Sequence, residues 1–157
     1  MLLVHGGRDH CRNWDWFAER FRDDYHIIAP DLRGHGDSEW MQGGAYNHAD
    51  YVYDIAQLIH QQSLAPLTIV SHSLGGQIAL AYTGLYPANV SKLVAIEGLG
   101  PSPERREQWR KKPAAQRLTA WVDGLRKLSG RVPRRYPNLQ TAFERMHQEN
   151  PQLNAEQ

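Results

Sequence analysis

Cysteine is nearly absent from this 157-residue chain: Cys11 stands alone. That excludes an internal disulfide framework and suits a reducing compartment. Long apolar runs are missing too. No stretch approaches the ~18 residues of a spanning helix, and Met1-Leu2-Leu3-Val4 lacks both the length and the basic flank of a signal peptide. The expectation is a soluble, cytoplasmic protein. Neither sign of charge is in excess, with 18 Lys and Arg against 17 Asp and Glu. A surface built throughout for phosphate backbones is therefore excluded. No Gly-Lys-Ser/Thr follows Gly6-Gly7, so that pair is not a phosphate loop. The eight histidines lack Cys partners and ligand-like spacing, and His5 and His10 around Asp9 make only a poor metal site. No metal is expected.

What is present is unevenly distributed. Residues 1–100 carry 6 basic and 11 acidic side chains, and residues 101–157 carry 12 and 6. The two parts have different surfaces. Four short continuous apolar runs read as buried parallel strands: 2–4, 26–29, 67–70 and 93–96. Helical spacing fills the gaps, in Trp14, Phe17, Ala18 and Phe21, then Tyr51, Ile55, Leu58 and Ile59 after a polar start at Asn47, then Leu74, Ile78, Tyr82 and Leu85 before Pro87. This alternation predicts an α/β fold with a parallel, doubly wound sheet.

After Gly98 prolines punctuate a basic stretch without strand runs. Two helices are readable there. Leu118, Trp121, Val122, Leu125 and Leu128 share one face, with Gly130 as a stop, and Leu139, Ala142, Phe143 and Met146 share another after an Asn138 N-cap. The expected organisation is a sheet-based core over 1–100 and a helical appendage over 101–157. The arginines and lysines of the second part scatter over helices and turns instead of forming one stripe, so they read as a solvated face and not as a nucleic-acid site.

The sharpest chemical signal is Ser71-His72-Ser73-Leu74-Gly75-Gly76, set between a strand and a helix. So tight a turn strains its central residue and lifts the Ser73 side chain above the sheet. Ser71 and Gly75 are small, which lets strand and helix approach. The Leu74 N–H, at a helix N-terminus, points to where an oxyanion would develop. His5-Gly6-Gly7 ends the first strand at the same sheet edge. Gly7, with Arg8 as the alternative, is placed to give a second oxyanion donor. His72, next to Ser73, reads as a supporting residue, His5 and His35 as loop-shaping residues, and Asp31 as a holder of backbone N–H groups.

Three stretches in order, Val4-His5-Gly6-Gly7, Asp31 through Ser38 (Asp-Leu-Arg-Gly-His-Gly-Asp-Ser) and Ser71 through Gly76, together with Pro87 through Ile96, resemble the α/β-hydrolase fold superfamily in its lid-bearing, esterase-like branch. The resemblance covers 1–100, and 101–157 resembles the beginning of a helical cap or lid. Ser71 departs from the family's usual glycine, small for small. The resemblance implies a cofactor-free serine hydrolase for a small-molecule carboxylic ester, lactone or similar acyl substrate. Ser73 is its nucleophile, and Gly7 and Leu74 form its oxyanion hole. Serine at this position argues against the superfamily's dehalogenases and epoxide hydrolases, which place Asp there. Glu97, at the end of the fourth strand, is a candidate triad acid, with a buried or loop-anchoring role as the other reading. No histidine stands where the family places its base, so the chain is expected to be an N-terminal fragment, inactive by itself. The alternative from another class is a non-catalytic receptor or binding protein of the same fold.

Overall fold

A computed structural model of the chain describes residues 1–44, 46–129, 132 and 135–152. It forms two units, Met1–Ser102 and Pro103–Gln157. The first is built on three parallel strands, β1 (Leu2–Val4), β2 (Leu67–His72) and β3 (Val90–Ile96), in the order β1-β2-β3. Leu3 lies beside Val70 and Val70 beside Val94, so these three side chains share one face of the sheet. Leu2 and Ile69 share the other.

Both faces are apolar, and helices cover both over β1 and β2, while Val94 on β3 is exposed. On one side, α2 (His48–Gln61) and α3 (Leu74–Leu85) bury Tyr51, Ile55, Ile59, Ile78 and Tyr82 against Leu2, Val4 and Ile69. On the other, a 3₁₀ turn at Cys11–Trp14 and α1 (Asp15–Phe21) bring Trp14, Phe17 and Ala18 onto Leu3 and Val70. The doubly wound arrangement read from the alternation is present. Helix α2 begins where the polar Asn47 predicts, closed by a capping box in which Asn47 accepts from the Asp50 N–H while Asp50 accepts from that of Asn47.

The expected strand at 26–29 is reduced to a single bridge between Ile28 and Leu2. The Ile28 N–H donates to the Met1 carbonyl and the Leu3 N–H to the Ile28 carbonyl. The next ladder donor on that side would be residue 30, and Pro30 has no N–H to give.

The second unit contains α4 (Pro103–Lys111), α5 (Ala114–Ser129) and α6 (Leu139–Glu149). The last two follow the apolar spacing, and the Asn138 side chain caps α6 by accepting the Thr141 N–H. Helix α4 had no apolar stripe to reveal it. Pro103 sits at its first position, where a missing N–H costs nothing, and its Trp109 ring carries the Arg117 guanidinium 4.3 Å above its face. Leu118, Trp121 and Leu125 on α5 are exposed. The Leu128 side chain, the stop at Gly130, Arg131 and Arg134 lie outside the described residues.

Candidate active site

The carboxyl ends of the three strands gather four loops, and the tightest is the turn from β2 into α3. Ser73 adopts φ 51° and ψ −112°, a sparsely populated conformation for a residue with a Cβ that costs about 1–3 kcal/mol. Close packing on both sides enforces it. The first turn of α3 is wedged between the ends of β1 and β3 through two glycines. A methyl group on Gly75 would lie 2.6 Å from the His5 carbonyl oxygen, and one on Gly76 would lie 2.7 Å from that of Glu97. The turn is also bonded in place. The Ser73 N–H donates to the Ile96 carbonyl at 3.1 Å, and the Ser73 carbonyl accepts the Gln77 N–H at 3.3 Å. Ser71, fully buried, donates its hydroxyl to the Val94 carbonyl.

Across the edge, Gly6 and Gly7 lie against the same turn. A methyl group on Gly6 would be 3.3 Å from the Ser73 Cβ, and one on Gly7 would be 3.7 Å from the Leu74 Cδ2. The fold thus brings together Ser73, Leu74 and Gly7, although they come from the ends of different strands. Arg8 follows with φ 62°.

His5 holds this loop from below and is fully buried. Its Nδ1 meets the Gly6 carbonyl at 2.7 Å, and its Nε2 accepts the Leu32 N–H at 2.9 Å. The second contact makes Nε2 the acceptor, so Nδ1 carries the proton. Burial keeps the ring neutral and pushes its pKa below the ordinary histidine value, outweighing the opposing Gly6 bond. His35 packs on it with ring centroids 5.2 Å apart and directs its own Nδ1 at the Arg33 carbonyl.

Asp31 ties two loops together. One carboxylate oxygen accepts the Cys11 N–H at 2.7 Å, the other the Asp37 N–H at 2.9 Å, and its carbonyl accepts the Ser38 hydroxyl. Partial burial pushes its pKa up, but the N–H donors from Asp37 and Cys11 outweigh this and hold it below the usual carboxylate value. The same loop is clamped to α2 by Arg33, which grips Asp54 with Nε at 2.5 Å and a second nitrogen at 2.6 Å.

These two groups set a pH dependence. Both have folded pKa values below their unfolded ones, so each contributes stability above its unfolded pKa and loses it as pH falls through the folded one. His5 acts first, as pH drops below the ordinary histidine value of ~6.5, and Asp31 only in the acid range. Melting followed from pH 7.5 to 4.5 should show the midpoint falling below pH 6.5. The variant His5→Gln should flatten that slope while lowering the midpoint throughout. An unchanged slope in the variant would remove His5 as the cause.

Glu97 closes the site on the β3 side. It has φ 62° and a side chain 79% exposed, with Oε2 4.0 Å from the Nε2 of His72. Sequence reasoning passed over its neighbour Gly98, whose φ is 77° and where an added methyl group would run into the Ser73 carbonyl group. A glycine directly after a strand end that must face a tight turn was the available signal. The Arg33–Asp54 clamp had none, because 21 residues separate the partners. Among the described residues, no three His, Cys, Asp or Glu side chains gather as a metal site, and no helix is long and apolar enough to cross a membrane.

A sheet with a strained serine at a strand-to-helix turn, faced by a Gly-Gly loop at its carboxyl edge, has the features of an α/β-hydrolase core. The model of the alpha/beta hydrolase family matches residues 1–156, and the chain belongs to that family. It is 33% identical over 97 residues to lipase LipV of Mycobacterium tuberculosis, covering 62% of this chain and 36% of that protein. It is 30% identical over 104 residues to a probable serine hydrolase of Drosophila melanogaster, covering 65% and 31%. Among solved structures it is similar to the thioesterase domain from the curacin biosynthetic pathway, with a TM-score of 0.81 and 27% identity over 99% of this chain and 54% of that one. The chain spans about a third of the curated relatives' length and about half of the thioesterase domain.

Proposed function

We propose that the chain carries the nucleophile and the oxyanion donors of a serine hydrolase acting on a small-molecule carboxylic ester, thioester or lactone. The backbone of Ser73 carries the reading. Its strained conformation is held by packing on both sides and keeps the side chain at the head of α3. Lipase, serine hydrolase and thioesterase relatives support the acyl chemistry. In the proposed cycle the Ser73 oxygen adds to the substrate carbonyl and its proton passes to a histidine. The Leu74 and Gly7 N–H groups hold the oxyanion. The alkoxide or thiolate then leaves with that proton. Water, deprotonated by the same histidine, releases the acid and restores Ser73.

The base is proposed to lie in the part of the family's length that residues 1–157 do not span, the chain covering 54% of the thioesterase domain. His5 has both nitrogens engaged, His35 directs Nδ1 at Arg33, and His72 faces Glu97. Residues 1–157 alone should therefore show no turnover on a chromogenic ester panel. Ser73-dependent turnover by that segment would return the base to one of its own histidines. Residues 101–157, with helices α4, α5 and α6, are proposed as the start of the lid.

Glu97 is proposed as a loop anchor, because the histidine it faces, His72, lies against Gly6 of the oxyanion loop. The variant Glu97→Gln, in the full-length hydrolase, should then lower kcat/KM by roughly 10- to 100-fold. A triad acid replaced by its amide would cost about 10⁴-fold. A loss of that size with unchanged melting would make Glu97 the acid.

The direct test of the reading is a fluorophosphonate probe on the full-length protein. Covalent labelling at Ser73 is the expected result. Tight ligand binding without labelling would favour a receptor.

A further inference from the structure

His72 is the residue before the proposed nucleophile, and its ring lies between two loops. On one side a methyl group on Gly6 would sit 2.9 Å from its Nδ1 and 3.4 Å from its Cε1. On the other its Nε2 is 4.0 Å from the Glu97 carboxylate. Gly6 opens the loop that carries the proposed donor Gly7. Glu97 precedes Gly98, where a methyl group would run into the Ser73 carbonyl. One imidazole therefore touches the Gly-Gly loop at one edge and faces the β3 turn at the other, directly beside Ser73.

We infer that His72, held by Glu97, is a positioning residue that seats the Gly6-Gly7 loop against Ser73 and so fixes where the second oxyanion donor stands. The inference rests on the proposed serine-hydrolase reading and adds to it the means by which the oxyanion loop is placed. Consecutive glycines have the widest backbone freedom of any residues, so this loop needs walls that it cannot supply from its own side chains. His5 supplies one by bonding the Gly6 carbonyl. The His72 ring supplies the other, filling the space that a Cβ on Gly6 would occupy.

Glu97 sets the rotamer of that ring. At 4.0 Å the carboxylate acts on the imidazole dipole without a direct hydrogen bond. His72 and Glu97 are both substantially exposed, at 42% and 79% of the side chain, so removing either should leave the core intact. Loop placement and global stability are thereby separable.

The experiment is a double-mutant cycle in the full-length protein, with His72→Ala, Glu97→Ala and the pair, plus His72→Gln as the variant that keeps a donor toward Glu97. The first readout is backbone ¹⁵N relaxation. Gly6 and Gly7 should fall from rigid order parameters near ~0.85 to below ~0.6 in either single variant, and no further in the double. His72→Gln should recover most of the rigidity. The second readout is the rate of fluorophosphonate labelling at Ser73, expected to fall roughly 10- to 100-fold in the same pattern, with melting within a few degrees of the parent. Rigid glycines and parental labelling in His72→Ala would overturn the inference, and additive single effects would remove Glu97 from it. If labelling persists in Ser73→Ala, the hydrolase reading itself fails, while the relaxation data still decide whether His72 seats the loop.

Discussion

On the proposed reading, replacing Ser73 by Ala in the full-length protein should abolish acyl-enzyme formation and lower turnover by at least about 10⁴-fold, while melting stays close to the parent's. The two effects separate because the hydroxyl and the backbone of Ser73 serve different ends. The backbone carries the turn. Its N–H is bonded to Ile96, its carbonyl to Gln77, and its φ of 51° is imposed by the contacts of Gly75 and Gly76. Alanine keeps all of that, including the strain. Only the oxygen is lost, and no oxyanion donor can replace an attacking atom. Residual activity should remain if the proposed donors Leu74 and Gly7 still polarise a bound carbonyl toward water. Intact-mass analysis after fluorophosphonate treatment gives the first readout and calorimetry the second. Parental turnover by the alanine variant would mean that Ser73 is not the nucleophile.

Much of this arrangement was legible in the residue order because the parts concerned are local. The three helices of the first unit follow from apolar spacing at 3–4 residues, and Asn47 and Asn138 announce their caps one residue ahead. The turn at Ser73 could be read because strand, small residue, serine, small residue and helix follow without a gap. The facing Gly6-Gly7 loop could be read for the same reason, since two glycines directly follow the first strand at its carboxyl end. What escaped the sequence is either long-range or negative. The strand expected at 26–29 is apolar enough, yet Pro30 removes the donor that would have extended its ladder. Helix α4 forms without any apolar stripe. The Asp31 carboxylate was expected to hold its own loop, and it does so through Asp37, but it also reaches the Cys11 N–H, 20 residues away. The orientation of Glu97 depends on the backbone of a single residue at φ 62°. A carboxylate at a strand end reads as an acid or as an anchor, and residue order does not carry the angle that aims it.

Gly98 is the position where the smallest change should do most damage. The variant Gly98→Ala should lose about 4 kcal/mol or more, at the far end of what single substitutions cost, and Ser73 labelling should collapse with it. Two penalties combine. A φ of 77° puts an L-residue in the left-handed region at about 1–2 kcal/mol. The added methyl would also be driven into the Ser73 carbonyl group, only 2.9 Å from its carbon and 3.0 Å from the Gly76 Cα. Neither neighbour is a flexible side-chain tip. Moving Ser73 breaks its bonds to Ile96 and Gln77, and moving Gly76 pushes α3 off the end of β3. At about 2–4 °C per kcal/mol for a chain of this size or larger, the melting midpoint should drop by roughly 10 °C. Gly84, near the C-terminal end of α3, is the matched control, because a methyl there meets nothing within 4 Å and its φ lies outside the left-handed range. Gly84→Ala should raise stability by about 0.5–1 kcal/mol through helix propensity and leave labelling unchanged. Thermal melts and probe labelling of the two variants side by side give the answer. A Gly98→Ala protein that melts with the parent and labels at Ser73 would show that the β3 turn does not buttress this serine.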